Sequence, residues 1–347
     1  MKTAAQSQPN ALPWRILQIT VWLVGVAIVV LLFGWPEMGL HAFWNVLIPI
    51  APALLAIAPG LWRNICPMAS NALFMRHVGK SARRPVSAKG QGRLLLLGVV
   101  LLYALVPLRH VILDLNGLAT ASFLLLVAGV STILGSRYEW KSSWCSGACP
   151  VHPVERLYGS VPIASFANAH CFPCEQCVTQ CADATPSLDP LSSKREKSQA
   201  IAGNLMVGGF AGFIWGWFQV PDYAGVEGWS HLGEAFAWPA LGTVVSLLLF
   251  FLLKPKVSAP LLNRIFAAAA IACYYWYRLP ALFGYSPFPG DGMLLDLRST
   301  LGEWFPYLSR LVTTAFFAWW LIGRRGLKRA WLVRPITAKV LQSEAKS

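Results

Sequence analysis

Eight apolar runs set the terms for this chain. They cover roughly 16–35, 42–62, 94–113, 117–135, 201–220, 238–253, 258–277 and 304–323. A helix needs about 20 residues to cross a hydrocarbon core ~30 Å thick. Most of these runs meet that length. Composition agrees: 56% of the 347 residues are hydrophobic and 13% are charged, against about 25% charged in soluble domains. Soluble enzymes, disordered chains and fibrous proteins are thereby excluded. The expected fold is an all-α integral membrane protein of about eight transmembrane helices, in contact with the lipid bilayer. Pro49, Pro52 and Pro59 interrupt the second run, which is expected to be kinked or partly re-entrant. The first run is long and no small-residue cleavage site clearly follows it, so it reads as an uncleaved anchor.

The net charge of +14 points to orientation rather than to nucleic acid, because the basic residues cluster between apolar runs. Segment 63–93 carries Arg63, Arg76, Lys80, Arg83, Arg84, Lys89 and Arg93 without a carboxylate. The tail 324–347 is also basic, and Lys254 and Lys256 follow the sixth run. The alternate loops carry Glu37, or Asp222, Glu227 and Glu234, and no Lys or Arg. The positive-inside rule puts both termini, 63–93, 136–200 and 254–257 in the cytoplasm of a bacterial-type inner membrane. Four parts follow: a membrane domain 1–135, a cytoplasmic segment 136–200, a second membrane domain 201–323 and a basic tail 324–347, which is expected to lie on the membrane as an interfacial helix.

Six of the eight cysteines fall in 136–200, a segment too short for an ordinary core. Residues 171–181 read CFPCEQCVTQC, so Cys171, Cys174, Cys177 and Cys181 stand at x2, x2 and x3 spacing. Three thiolates at x2 spacing wrap one Fe–S cube, and the fourth serves the other cluster in two-cluster ferredoxins. Zinc prefers two separated pairs, and a reducing cytoplasm disfavours disulfides. A second element, WCSGACP, supplies Cys145, Cys149 and Pro150, and a third, RNICPM, supplies Cys66 and Pro67. Cys273 lies inside the seventh run, about 22 Å along its helix, and reads as a buried apolar cysteine.

Seven thiols thus face the same side, whereas two complete [4Fe–4S] clusters need eight ligands. Three arrangements stay open. One cluster binds Cys171, Cys174 and Cys177 with Cys149 or Cys181. Alternatively a second cluster uses Cys66, Cys145 and Cys181 with a non-cysteine ligand such as His152, His170 or Asp183. Otherwise the second site holds a three-iron cluster.

Several spans, C-x3-C-P loops at span ends and a ferredoxin motif together resemble the membrane-bound polyferredoxins. That group includes NapH-type quinol-dehydrogenase subunits, NosR-type regulators and the CcoG oxidase-assembly protein. The likeness covers roughly 60–182 and is sharpest at Cys145, Cys149, Pro150, Cys171, Cys174, Cys177 and Cys181, with Cys66 and Pro67 in support. It implies electron transfer between a membrane donor, quinol, and a redox partner protein through a small ferredoxin-like segment. A reductase for metal handling or respiratory-enzyme assembly uses the same cofactor and is the second reading. A permease or sensor with a metal-binding Cys loop is the third.

Other residues carry weaker signals. Arg109, His110 and Asp114 end the third run and could bind a quinone or move a proton; the plainer alternative is a helix cap with a snorkelling Arg. His41 and His231 fall on the same outer side, without the paired placement that haem ligation needs. Arg310 enters the last run, where it is expected to reach toward the headgroups. Lys141 and Arg156 are expected to be solvated or paired with Glu139 and Glu155. Nucleotide-binding signatures are absent from the sequence.

Overall fold

The first apolar run forms a helix whose aliphatic surface is largely left facing outward, while its one amide side chain, Gln18, donates inward to the Asn64 carbonyl at 2.9 Å. In the computed structural model, which describes residues 11–170, 183, 196–223, 226–324 and 329–333, this helix is α1, Ala11–Gly34. Leu12, Ile16, Ile19, Leu23, Val30 and Phe33 are exposed, while Ile28 and Leu32 are buried. Such a surface is stable only against an apolar solvent. Seven helical stretches among the described residues are long and apolar enough to cross a membrane: Leu12–Gly34, Pro36–Ile57, Ala88–Leu105, Gly117–Arg137, Lys197–Trp217, Gly228–Leu253 and Ala259–Leu282. The protein is a helical, multi-pass membrane protein.

The second stretch is interrupted, as its prolines require. Helix α2, Pro36–Leu40, passes into a π-helical turn at His41–Leu47 and then into α3, Ile48–Ile57. Ala58 leaves the helix at φ −138°, and Pro59 starts α4, Pro59–Ile65. Cys66 breaks the chain again, and Pro67 starts α5, Pro67–His77. A proline at the first helical position loses no hydrogen bond and has its φ already set. Two short helices therefore hang below the second span, with Cys66 at their joint.

The next elements are α6, Ala88–Leu105, and α7, Gly117–Arg137. Ser87 caps α6 by accepting from the Gly90 amide at 3.1 Å, and Asn116 caps α7 by accepting from Ala119 at 2.9 Å. A π-helical segment, Lys141–Ala148, leads into α8, Val151–Tyr158. Beyond it lie α9, Lys197–Asn204, α10, Phe210–Trp217, α11, Leu232–Leu253, α12, Ala259–Leu282, and α13, Trp304–Ala318.

The eighth expected span differs. Its α-helical part, α13, has 15 residues, about 22 Å at 1.5 Å each and short of the core thickness. A π-helical turn at Trp319–Gly323 extends it. Arg310 on α13 is anchored to α12. Its Nε donates to the Trp276 carbonyl at 3.1 Å and its guanidinium covers the Trp276 ring.

Small residues bring the helices together. A side chain at Gly212 would run into the Gly242 carbonyl, and one at Gly135 into the Ala72 carbonyl. Backbone on backbone leaves no room for relief. Gly212→Val should therefore separate α10 from α11, lowering thermal stability in detergent by about 3 kcal/mol, the upper range for overpacking. The main core joins α3, α6, α8, α10 and α12 with the end of α13, around Leu55, Tyr158, Phe210, Ile271 and Leu321.

The tail is not an interfacial helix where it is described. Leu332–Val333 pairs in parallel with Phe166–Ala167, the two strands of the described residues. Trp331, buried beside them, donates Nε1–H to the Gly159 carbonyl at 2.8 Å.

Candidate functional site

Cys66 comes from one segment and Cys145 and Cys149 from another, yet the three meet in one largely buried cluster. They pack with Ala69, Leu73, Trp140, Trp144 and Ala148, and each thiol lies in the electrostatic field of the others. All three are free thiols. Helix α6 forms one wall. Gly98 lies against the carbonyls of Ala148 and Cys149, where a Cβ would stand 3.2 Å from both.

The two Cys-Pro pairs share a geometry that explains the motif. In each, Pro opens a helix and Cys stands just before its first turn. The Met68 and Ala69 amides face the Cys66 thiol, and the Val151 and His152 amides face Cys149. At Cys66 they fall short of a formal cap bond. Amides at a helix start favour a thiolate over a thiol. Burial acts the other way and dominates: it pushes Cys66 up to about 11 and Cys149 up to about 12. Cys145 is raised too, by burial, against the opposing pull of Arg63. These thiols ionise only when something positive joins them.

Two cations already stand beside the pocket. Arg63, buried, donates Nη1–H to the Cys145 carbonyl at 2.9 Å and Nη2–H to His152 Nδ1 at 2.9 Å. Its Nε is 3.1 Å from Glu155 and 3.0 Å from Asp183, ion-pair distances without hydrogen-bond alignment. Lys141 pairs with the other oxygen of Asp183. Burial opposes the charge on Asp183, but Arg63 and Lys141 outweigh it and hold the carboxyl well below its usual range. Lys141 is thus neither solvated nor held by Glu139 alone. Arg156 covers the Trp331 ring at 5.1 Å.

The CFPCEQCVTQC run, Cys171, Cys174, Cys177 and Cys181, lies outside the described residues. The residues flanking it do not. His170 packs edge-on against Trp140 at 5.4 Å, and its Nε2 is buried without a partner. Burial and Lys141 lower its pKa to about 3. Asp183, on the far side of the motif, is fixed by Arg63 and Lys141, and its carbonyl accepts from Leu332 N–H at 2.9 Å. Both ends of the motif are therefore tied to the thiol pocket. Of the three non-cysteine candidates, His152 is engaged at Nδ1 and Asp183 by two cations, which leaves His170 with an open nitrogen. Among the described residues, no three of His, Cys, Asp and Glu stand placed to hold a single metal ion. Cys273 packs elsewhere, against the main core.

A second polar cluster occupies the other end of α6, roughly 16 Å along the helix from Gly98. Arg109 is not a snorkelling cap. It is buried between Trp44 and Trp217, with its guanidinium 4.1 and 4.7 Å from the two ring centres, and pairs with Asp114 through two bonds of 2.9 Å. His110 bonds Asp222 at 2.6 Å and stacks on Trp217. Asp222 in turn gives its N–H to Asp291 at 2.8 Å. Asp222 was legible only as an acidic loop charge, and nothing in the sequence marked Asp291. His41 and His231 contact Asn45 and Tyr223 and do not face one another.

Burial and the neighbouring Asp222 push half-buried Asp291 up to about 6. A carboxyl raised in the fold costs stability once ionised, so the cost is full above pH 6 and vanishes below 3.8. Asp291→Asn should stabilise the protein by about 1 kcal/mol at pH 8, discounted for partial exposure, and change nothing at pH 3.5. Thermal midpoints at both pH values check this.

Between the two clusters lies a cavity of about 160 Å³ with almost wholly apolar walls. Val151, Val154 and Tyr158 of α8 line the thiol end, and Arg109, Trp217 and Tyr274 line the other. The Tyr274 hydroxyl is buried without a hydrogen bond. An apolar cavity of about 150 Å³ holds one benzene ring, so this one accepts a single six-membered ring. Comparison with known proteins adds no assignment: no family model, curated protein or solved structure matches this chain.

Proposed function

We propose that the protein is a membrane-anchored iron–sulfur electron carrier that takes electrons from quinol and passes them to a redox partner protein. The observation that carries this reading is the convergence of Cys66, Cys145 and Cys149 on one pocket to which both ends of CFPCEQCVTQC are tied.

The donor set fits a cluster better than a single ion. One ion needs all its donors within a bond length of one point. A four-iron cube takes one thiolate per iron, so its ligands stand further apart, as three thiols on separate turns do. Cys171, Cys174 and Cys177 hold one [4Fe–4S] cluster. Cys66, Cys145 and Cys149 serve a second, and Cys181 completes it in the manner of two-cluster ferredoxins. When bound, the clusters supply reversible one-electron storage. Arg63 and Lys141 offset the charge that a reduced cluster brings into a buried site. His170, with its open Nε2, supplies the missing ligand of the first cluster.

The basic segments put the thiol face, both termini and the redox partner on the cytoplasmic side of a bacterial-type inner membrane, with α13 and its π-turn as the closing span. The cavity, its polar end and the α8 wall that joins it to the thiol side support quinol as donor. The test is duroquinol added to the anaerobically purified protein. Bleaching of the visible iron–sulfur absorption is the expected result. Absorption that bleaches with dithionite but never with duroquinol would exclude quinol as the donor.

A further inference from the structure

His110 lies one aromatic ring behind the cavity. It shares the π-helical turn Arg109–Leu113 with Arg109, and its imidazole stacks on Trp217 with centres 4.6 Å apart. Its two nitrogens have fixed tasks. Nε2 is 3.0 Å from the Trp217 carbonyl, which can only accept, so Nε2 donates. Nδ1 is 2.6 Å from Asp222 Oδ1. A carboxylate also only accepts, so this contact needs one more proton, on the nitrogen or on the oxygen. The pair therefore shares a proton beyond the one on Nε2. From Asp222 the next acceptor is Asp291, bonded to the Asp222 amide at 2.8 Å and half-exposed.

The groups around this chain are accounted for. Arg109 is held by Asp114 and sandwiched between Trp44 and Trp217. Arg278, from α12, donates to the Trp44 carbonyl and to Asn45, both at 2.6 Å. Tyr274 stands beside both cations. On the loop side, Tyr223 gives its N–H to the His110 carbonyl at 2.8 Å and stacks on His231, which faces Glu234. The arginines are fixed positive charges and cannot shuttle protons. Asp114 is committed to Arg109. That leaves His110, behind the Trp217 wall of the cavity, with Asp222 and half-buried Asp291 beyond it, as the titratable groups not committed to a fixed charge.

The geometry points to His110, Asp222 and Asp291 as a proton relay that carries the protons of a quinol oxidised in the cavity to the face away from the thiols. This rests on the quinol-donor reading above. The quinol gives up two electrons and two protons: both O–H bonds break and the ring becomes a quinone. The electrons reduce ferric iron of the clusters, one at a time. The His110–Asp222 pair first releases its shared proton toward Asp291 and water, and then takes up a quinol proton in its place, once for each of the two protons. Tyr274, with its unspent hydroxyl, and Arg109 face the quinol oxygen. Electrons and protons then leave by opposite ends of the cavity.

The test uses the full-length, cluster-loaded protein with duroquinol or dithionite as reductant. Asp222→Asn keeps the size and hydrogen bonding of the side chain but cannot take up a proton. It should slow duroquinol-driven bleaching at least tenfold, about 1.4 kcal/mol in barrier, while dithionite-driven bleaching keeps the wild-type rate. Asp291 accepts a proton only when ionised, so the wild-type rate should climb as pH rises through about 6. Asp291→Asn should flatten that climb, an effect a merely structural role would not produce. Quenching of tryptophan fluorescence by duroquinone reports whether the cavity still binds. Binding within twofold of wild type, with a slowed and pH-flattened rate, supports the relay. Wild-type duroquinol rates in both variants overturn it and leave quinol as donor intact. A wild-type cluster reduced by dithionite and never by duroquinol overturns the relay and the donor together.

Discussion

Cys174→Ser should abolish the visible absorption of the cluster it ligates and remove roughly half of the bound iron, whereas Cys66→Ser should remove the other half and leave the first signal standing. The argument is one of ligand count. Cys174 is the middle thiol of an x2–x2 triplet, where each ligand holds its own iron and no neighbouring cysteine can replace it. Cys66 sits on a different segment, beside Cys145 and Cys149, and belongs to the other cube. Serine is smaller and a poorer iron ligand, so the fold should survive and the metal should not. Iron assay and low-temperature paramagnetic resonance on anaerobically purified variants read the two losses separately. Equal and complete loss in both variants would mean a single cluster that draws ligands from both segments.

Arg63→Met should be the most destabilising single change outside the cysteines. The guanidinium lies between Glu155 and Asp183, bonds the Cys145 carbonyl and His152, and stacks near Trp331 at 5.6 Å. Methionine fills much of the same volume but leaves two buried carboxylates with Lys141 as their remaining close cation. Removing one partner from a buried ionic set costs about 3–5 kcal/mol, because the abandoned charge stays desolvated. The thermal midpoint in detergent should fall accordingly, and iron at the Cys66–Cys145–Cys149 pocket should fall with it. Arg63→Lys should recover only part of the loss, since one ammonium cannot reach the four groups that the planar fork serves.

The membrane fold was legible because lipid imposes a length and a polarity that sequence displays directly. Seven of the eight apolar runs lie in helices long enough to cross, and the prolines of the second run broke it where their geometry requires. The eighth run is helical too, but its α-helical part stops at Ala318 and a π-turn completes it, a local change that hydropathy does not register. At the site, the Cys-Pro pairs were readable, but their convergence was not. It depends on α5 meeting α7 at Gly135 and on α6 meeting Cys149 at Gly98, close approaches with no local signature. Arg63 and Lys141 looked like orienting surface charges, since a buried cation and an exposed one are written with the same letter. Their partner Asp183 is more than forty residues from Lys141. The His110–Asp222 bond spans 112 residues and was equally invisible.

The central claim is that these thiols hold iron and sulfide. The direct measurement is the low-temperature paramagnetic-resonance spectrum and iron content of the full-length protein, purified without oxygen and then reduced with dithionite. The account predicts a brown protein whose spectrum shows reduced [4Fe–4S] signals broadened by a neighbouring cluster. A colourless protein carrying zinc, or no metal at all, would contradict it.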